Sequence, residues 1–250
     1  MSVFILQIIA MCTMLIDHMG ALFFDNALMF RAIGRIAFPL YAFLLANGFT
    51  HYFDDKDRVK NHLSWLLIST VLSELSYDLV QNHLSFSELF ISQSIMFTLL
   101  LSFLGMLAMH TWKNNVLVLL SIVLVTFFIA NAMNCEYKIA GILLIYLYYF
   151  YSLHLKDLNY IKRLAILLGL TSVFVMTYWF QVNKFTVSDT LFNPNLTWTV
   201  YLLNYIAPVI ILSFYSGKKG YSNRTFRLSY KIFYPLHLFI LGLIKHIAFI

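Results

Sequence analysis

Apolar runs of about twenty residues follow one another along the whole chain, separated only by short polar breaks. A helix rises 1.5 Å per residue, so a run of that length spans the ~30 Å hydrocarbon core of a bilayer. On that ruler helices are expected near 2–24, 33–50, 62–81, 88–110, 116–133, 138–153, 162–181, 197–215 and 229–249, the sixth being short for a span. The fold class that follows is an all-α polytopic membrane protein, a bundle of about nine transmembrane helices forming a single domain over residues 1–250. No stretch is polar enough for a separate soluble domain. Charged residues make up 11% of the chain, against roughly 25% in soluble domains.

The net charge of +6 does not point to nucleic acid, because the basic residues sit in short loops between the apolar runs. Such loops mark topology instead. Lys56, Arg58, Lys60, Lys113, Lys156, Lys162, Arg163, Lys218, Lys219, Arg224 and Arg227 follow even-numbered runs, and Lys231 lies just beyond. The other side receives at most Arg31, Arg35, Lys138, Lys184 and Lys245. The N-terminus is therefore expected in the cytoplasm and the C-terminus outside, in a multi-pass plasma-membrane protein. No basic residue precedes Asp17, which argues against a cleaved signal peptide. Cys12 and Cys135 are too few for a disulfide framework and read as buried thiols. The cluster Tyr146, Tyr148, Tyr149 and Tyr151 reads as an interfacial aromatic belt.

This topology assigns a depth to each polar group. Asp17 and His18 fall in the outer half of the first helix, and Arg35 opens the second at the same level. Glu74 and Asp78 share one face of the third helix by i,i+4 spacing. Gln93, Ser94, Asn131, Asn134 and Glu136 lie at that level too. An ionisable group at the centre of a membrane helix costs about 2.5–3.5 kcal/mol, so such groups are site candidates by default. Asp17 and His18 are neighbours about 100° apart on the helix and cannot form a dyad by themselves. Asp17 is expected to pair with Arg35, leaving His18 free either to pack a helix end or to do chemistry. Glu74 and Asp78 either hold an ion pair with Arg35 or Arg31, or contact substrate. Tyr230, Tyr234 and His237 share a face of the last helix beside Pro235, which frees a backbone carbonyl one turn earlier. His237 is thus expected in the bundle interior, as a satisfied core residue or a functional one. Gly217 and Gly220 flank Lys218 and Lys219, a turn that either marks topology or cradles a phosphate. No Walker pattern, metal-spaced His/Cys cluster or GxSxG elbow is present, and no metal is expected.

The stretches MLIDHMGALFF, RAIGRIAFPLYAFLLANGF, LSELSYDL, FTLLLSFLGML, YSGKKG and FYPLHLFIL resemble the TraX family, membrane proteins named for an enzyme that acetylates conjugative pilin. That family is in turn similar, distantly, to the larger transmembrane acyltransferases, which use a first-helix histidine and cytosolic acyl-CoA. The resemblance implies that His18 is the catalytic histidine, supported by Asp17 and Arg35. Acetyl-CoA would be the donor substrate, its phosphates near Lys218 and Lys219 and its thioester along the Tyr234–His237 face. Glu74 and Asp78 would bind the acceptor, an amine or hydroxyl on an envelope protein N-terminus, polysaccharide or lipid. The competing class is a transporter or solute-binding membrane protein. Its mark would be Gly/Pro-interrupted helices in two repeated halves, which the sequence lacks.

Overall fold

Helix starts in this chain are set by capping side chains as much as by apolar content. The computed structural model describes residues 1–24, 28–81, 93–154, 158–183 and 206–248. Ser2 caps α1 (Val3–Phe23), and Asp55 caps α4 (Lys56–Gln81) by accepting from the Arg58 amide at 3.1 Å. Asn115 caps α6 (Val116–Ala132), and Asn159 caps α8 (Tyr160–Asn183). Asn223 caps the last helix, Arg224–Ala248, by accepting from the Phe226 amide at 2.7 Å. Each supplies an acceptor to a first-turn N–H that has none within the helix. The third and last predicted helices therefore start six and five residues early, with polar first turns outside any apolar window.

The second predicted helix is two. α2 (Leu28–Gly34) stops at Arg35 and Ile36, and α3 (Ala37–Phe49) resumes in line. Pro39 explains the break: it has no N–H for the Arg35 carbonyl, and its ring clashes with a helical carbonyl at that position. In first-turn position on α3 the same proline is harmless. α5 (Ile95–Thr111) and α7 (Lys138–Leu153) complete the middle of the bundle. We label the helical segment 206–213 α9 and Arg224–Ala248 α10. The start of the predicted eighth helix, together with Lys156 and Lys184, lies outside the described residues.

Among the described residues the chain is all helical apart from an isolated bridge between Gln93 and Cys135. Among the described residues four helical stretches are long and apolar enough to cross a membrane: Val3–Phe23, Met29–Phe49 (α2 and α3 together), Tyr160–Tyr178 and Arg224–Ile247. Ile95–Thr111, Val116–Ala132 and Lys138–Leu153 are apolar but shorter. α4 packs along α10, and α1 lies against α2, α3 and α10. α7 is central, in contact with α3, α5, α6 and α8. That position buries all four tyrosines Tyr146, Tyr148, Tyr149 and Tyr151, which fill the interior rather than form an interfacial belt. Apolar side chains turn outward on other helices, such as Leu117, Leu124 and Phe128 of α6 and Val71 and Leu75 of α4, as lipid contact demands. Cys12 is likewise exposed on α1, whereas Cys135 is buried as expected.

One end of the bundle gathers the basic loops. The carbonyls of Lys218 and Lys219 accept from the Val3 and Phe4 amides at 2.9 and 3.1 Å, so the glycine-flanked turn seals the first turn of α1. Gly217 and Gly220 both have φ +74°, where a side chain would be strained, and a Cβ on Gly220 would also collide with Ser2. Asp54 meets His110 at 3.5 Å at this same end.

Candidate functional site

Asp17 and His18 leave α1 in different directions, as their 100° separation requires. Asp17 faces α2, where its Oδ2 accepts from Arg31 Nη1 at 2.9 Å. The expected pairing with Arg35 is not the one formed. α2 brings Arg31, one turn before the break, over Asp17, and Gly34 makes the approach possible: a Cβ there would collide with the Asp17 side chain. Arg35, at the break, reaches away to the turn between α6 and α7. It donates to the Tyr137 hydroxyl at 2.8 Å, lies 3.8 Å from Glu136 Oε1 and sits 5.6 Å from the Tyr137 ring centre.

That turn is a strained one. Asn134, Tyr137 and Lys138 all have positive φ, a conformation costly for residues with a Cβ, most of all for a bulky tyrosine. Several contacts hold it: Tyr137 stacks on Phe38 at 4.2 Å, Thr98 donates to the Glu136 carbonyl at 2.8 Å, and the Glu136 amide donates to Gln93 at 3.1 Å. Burial pushes the Glu136 carboxyl above its ordinary value, with Arg35 opposing.

His18 faces α10. Its Nδ1 is 2.6 Å from His237 Nε2, and the two rings lie 22° from parallel. His237 Nδ1 is in turn 2.7 Å from the Phe233 carbonyl. Pro235 frees the Lys231 carbonyl, and Ser69 Oγ of α4 donates to it at 3.2 Å, which ties α10 to α4 just before the histidine. His237 is 6% exposed, in the interior as expected, with Tyr234 at its edge.

Two cavities have Tyr234 in their walls. A small one of about 20 Å³ is lined by Asp17, His18, Gly34, Glu136, Tyr137 and Tyr234, among others. It has room for a group the size of a hydroxyl or an amine. Asp17 Oδ1 is buried with no hydrogen-bond partner among the described residues, so the cavity offers an unused polar atom. The second, about 250 Å³, runs between α1, α3, α4, α5 and α10. Its walls are mostly apolar and aromatic, from Val3 and Gln7 at the start of α1, past Tyr52, His62 and Trp65, to Tyr234. The Lys231 ammonium lies over the Trp65 ring at 4.9 Å within that wall.

The remaining predicted residues are placed as follows. Glu74 turns to the start of α5, where both its oxygens accept from the Ser94 amide, at 3.0 and 3.2 Å, and Oε1 accepts from Ser94 Oγ at 2.6 Å. A carboxylate there sits at the N-terminal end of α5, where the helix dipole favours a negative charge. Asp78 is carried by α4, but its side chain lies outside the described residues. Lys218 and Lys219 are exposed beside the N-terminus of α1. With the helix dipole behind them they can receive an anion. Among the described residues no three His, Cys, Asp or Glu side chains lie close enough to hold a metal ion. Sequence reasoning missed Arg31 as the partner of Asp17, and Tyr137 as the partner of Arg35. For Arg31, the proline at 39 was the available signal, since it breaks the helix between the two arginines.

The family model described as TraX protein matches residues 2–245. A probable fimbrial assembly protein, FimC of serogroup H1 from Dichelobacter nodosus, is 25% identical over 249 residues, covering 96% of this chain and 94% of its own. No solved structure matches.

Proposed function

Because the chain belongs to the TraX family, we propose that it is a membrane-embedded acyltransferase, moving an acyl group, acetyl in the first instance, from cytosolic acyl-CoA to an amine or hydroxyl of an envelope acceptor. The observation that carries the reading is the pair of cavities sharing Tyr234: one leads from the basic end of the bundle, the other holds His18. In this reading the chain crosses the plasma membrane about nine times with its N-terminus in the cytoplasm, so the basic end faces acyl-CoA. His18 lies 15 residues along α1 from Val3, about 22 Å at 1.5 Å per residue. An extended phosphopantetheine arm is of that order of length.

Lys218 and Lys219 then meet the phosphates, the apolar cavity takes the arm, and the thioester carbonyl arrives at Tyr234. The acceptor nucleophile occupies the small cavity, where His18 removes its proton as it attacks the thioester carbon; the coenzyme A thiolate leaves. Asp17, fixed by Arg31, and Glu136, near Arg35, shape that cavity. General base catalysis of this kind is worth about 10²–10⁴-fold. The relative's name ties it to fimbrial assembly, so a fimbrial subunit is the first acceptor to try here, followed by envelope polysaccharide and lipid.

The test is purified protein in nanodiscs given labelled acetyl-CoA and these acceptors. His18→Ala is expected to lose transfer by about 10²-fold or more while keeping acetyl-CoA binding. Transfer at a near-normal rate in His18→Ala would overturn the mechanism. Solute flux without acyl transfer to any acceptor would favour a transporter.

A further inference from the structure

The hydrogen bonds around the two histidines fix which nitrogen of each carries a proton. A carbonyl oxygen only accepts, so the 2.7 Å contact with Phe233 requires a hydrogen on His237 Nδ1. His237 is buried among Phe233, Tyr234 and His18, with no carboxylate among its hydrogen-bond partners, so its site accommodates the neutral ring. A neutral imidazole with hydrogen on Nδ1 has its lone pair on Nε2. That lone pair faces His18 Nδ1 at 2.6 Å, which must therefore donate. His18 is left with its own lone pair on Nε2, the one ring nitrogen of the pair with no hydrogen-bond partner among the described residues.

We infer that His237 is a positioning residue, whose hydrogen bond holds His18 as the Nδ1–H tautomer and so makes Nε2 the atom that accepts the proton. The helix explains why this works. α10 anchors His237 through its own preceding turn, and the Ser69 bond to the carbonyl freed by Pro235 ties that turn to α4. Ring orientation thus passes from backbone to His237 and from His237 to His18, as a backbone-bonded nitrogen commonly sets the role of the other. In the catalytic use of Nε2 the inference rests on the acyltransferase reading; in the tautomer itself it does not. His237 then acts on the reaction through His18 rather than by touching substrate.

The experiment is ¹⁵N NMR of the full-length protein, labelled at histidine, in nanodiscs, with His18 assigned by His18→Gln. The wild type is expected to show a protonated Nδ1 and an unprotonated Nε2 on His18. His237→Gln offers an amide oxygen near the position of Nε2 and should preserve that pattern. His237→Leu offers no acceptor and should let His18 take up the Nε2–H form. Kinetically, His237→Leu should lower kcat at least about tenfold at unchanged acetyl-CoA KM, and His237→Gln should recover most of it, because a wrong tautomer disables a base without unfolding its site. A wild-type His18 protonated on Nε2 overturns the inference. So does a His237→Leu protein in which the His18 pattern is unchanged. The expected tautomers without acyl transfer in any variant would uphold the positioning role and remove the acyltransferase reading instead.

Discussion

Arg31→Leu should destabilise the bundle through one carboxylate. Asp17 is 9% exposed; its Oδ2 accepts from Arg31 at 2.9 Å and its Oδ1 has no hydrogen-bond partner among the described residues. At that distance and an effective dielectric constant of about 20, 332/(εr) gives about 6 kcal/mol of attraction. The Arg31 side chain is 35% exposed, so solvent screens much of this, and desolvation of the carboxylate offsets more. The expected net loss is about 2–3 kcal/mol. Asp17→Asn combined with Arg31→Leu should cost less than the two singles together, with a coupling of about 1–2 kcal/mol. The matching cycle of Asp17→Asn with Arg35→Leu should give a smaller coupling, because Arg35 makes its contacts with Tyr137 and Glu136. Reversible unfolding in mixed micelles, titrated with a denaturing detergent and followed by far-UV circular dichroism, measures all of these. A larger coupling of Asp17 to Arg35 than to Arg31 would refute the pairing.

Ser69→Ala removes the donor to the Lys231 carbonyl and should cost about 1–2 kcal/mol in the same unfolding assay. Adding Pro235→Ala restores a backbone N–H to that carbonyl, so the double variant should regain most of the loss; no regain would mean the carbonyl is satisfied otherwise. Lys218→Glu with Lys219→Glu should weaken acetyl-CoA binding by calorimetry about tenfold or more, with helicity unchanged. Unchanged affinity would leave that turn with only its role at the start of α1.

The class of this protein was legible in the sequence because lipid imposes it. Long apolar runs have few ways to satisfy their backbone, so an all-helical membrane bundle followed from run length and low charge. The family was legible in DHMG, GRIAFP and FYPLHL, and the interior place of His237 in its spacing from Tyr234 and Pro235. An apolar ruler cannot see a polar first turn, which is why the starts of α4 and α10 were placed late although Asp55 and Asn223 stand there as caps. Side-chain partners were decided only in three dimensions. Asp17 has arginines at 31 and 35 within reach along the chain, and the break before Pro39 sends one to it and the other to Tyr137. Glu74 met the amide and hydroxyl of Ser94, because α4 packs beside α5. Four tyrosines became core because α7 packs against α3, α5, α6 and α8, a fact of packing that no count of aromatic residues contains. The bond between His18 and His237 joins positions 219 residues apart. Periodicity is local and fixes which face a residue occupies; what stands opposite that face is set by how the helices pack.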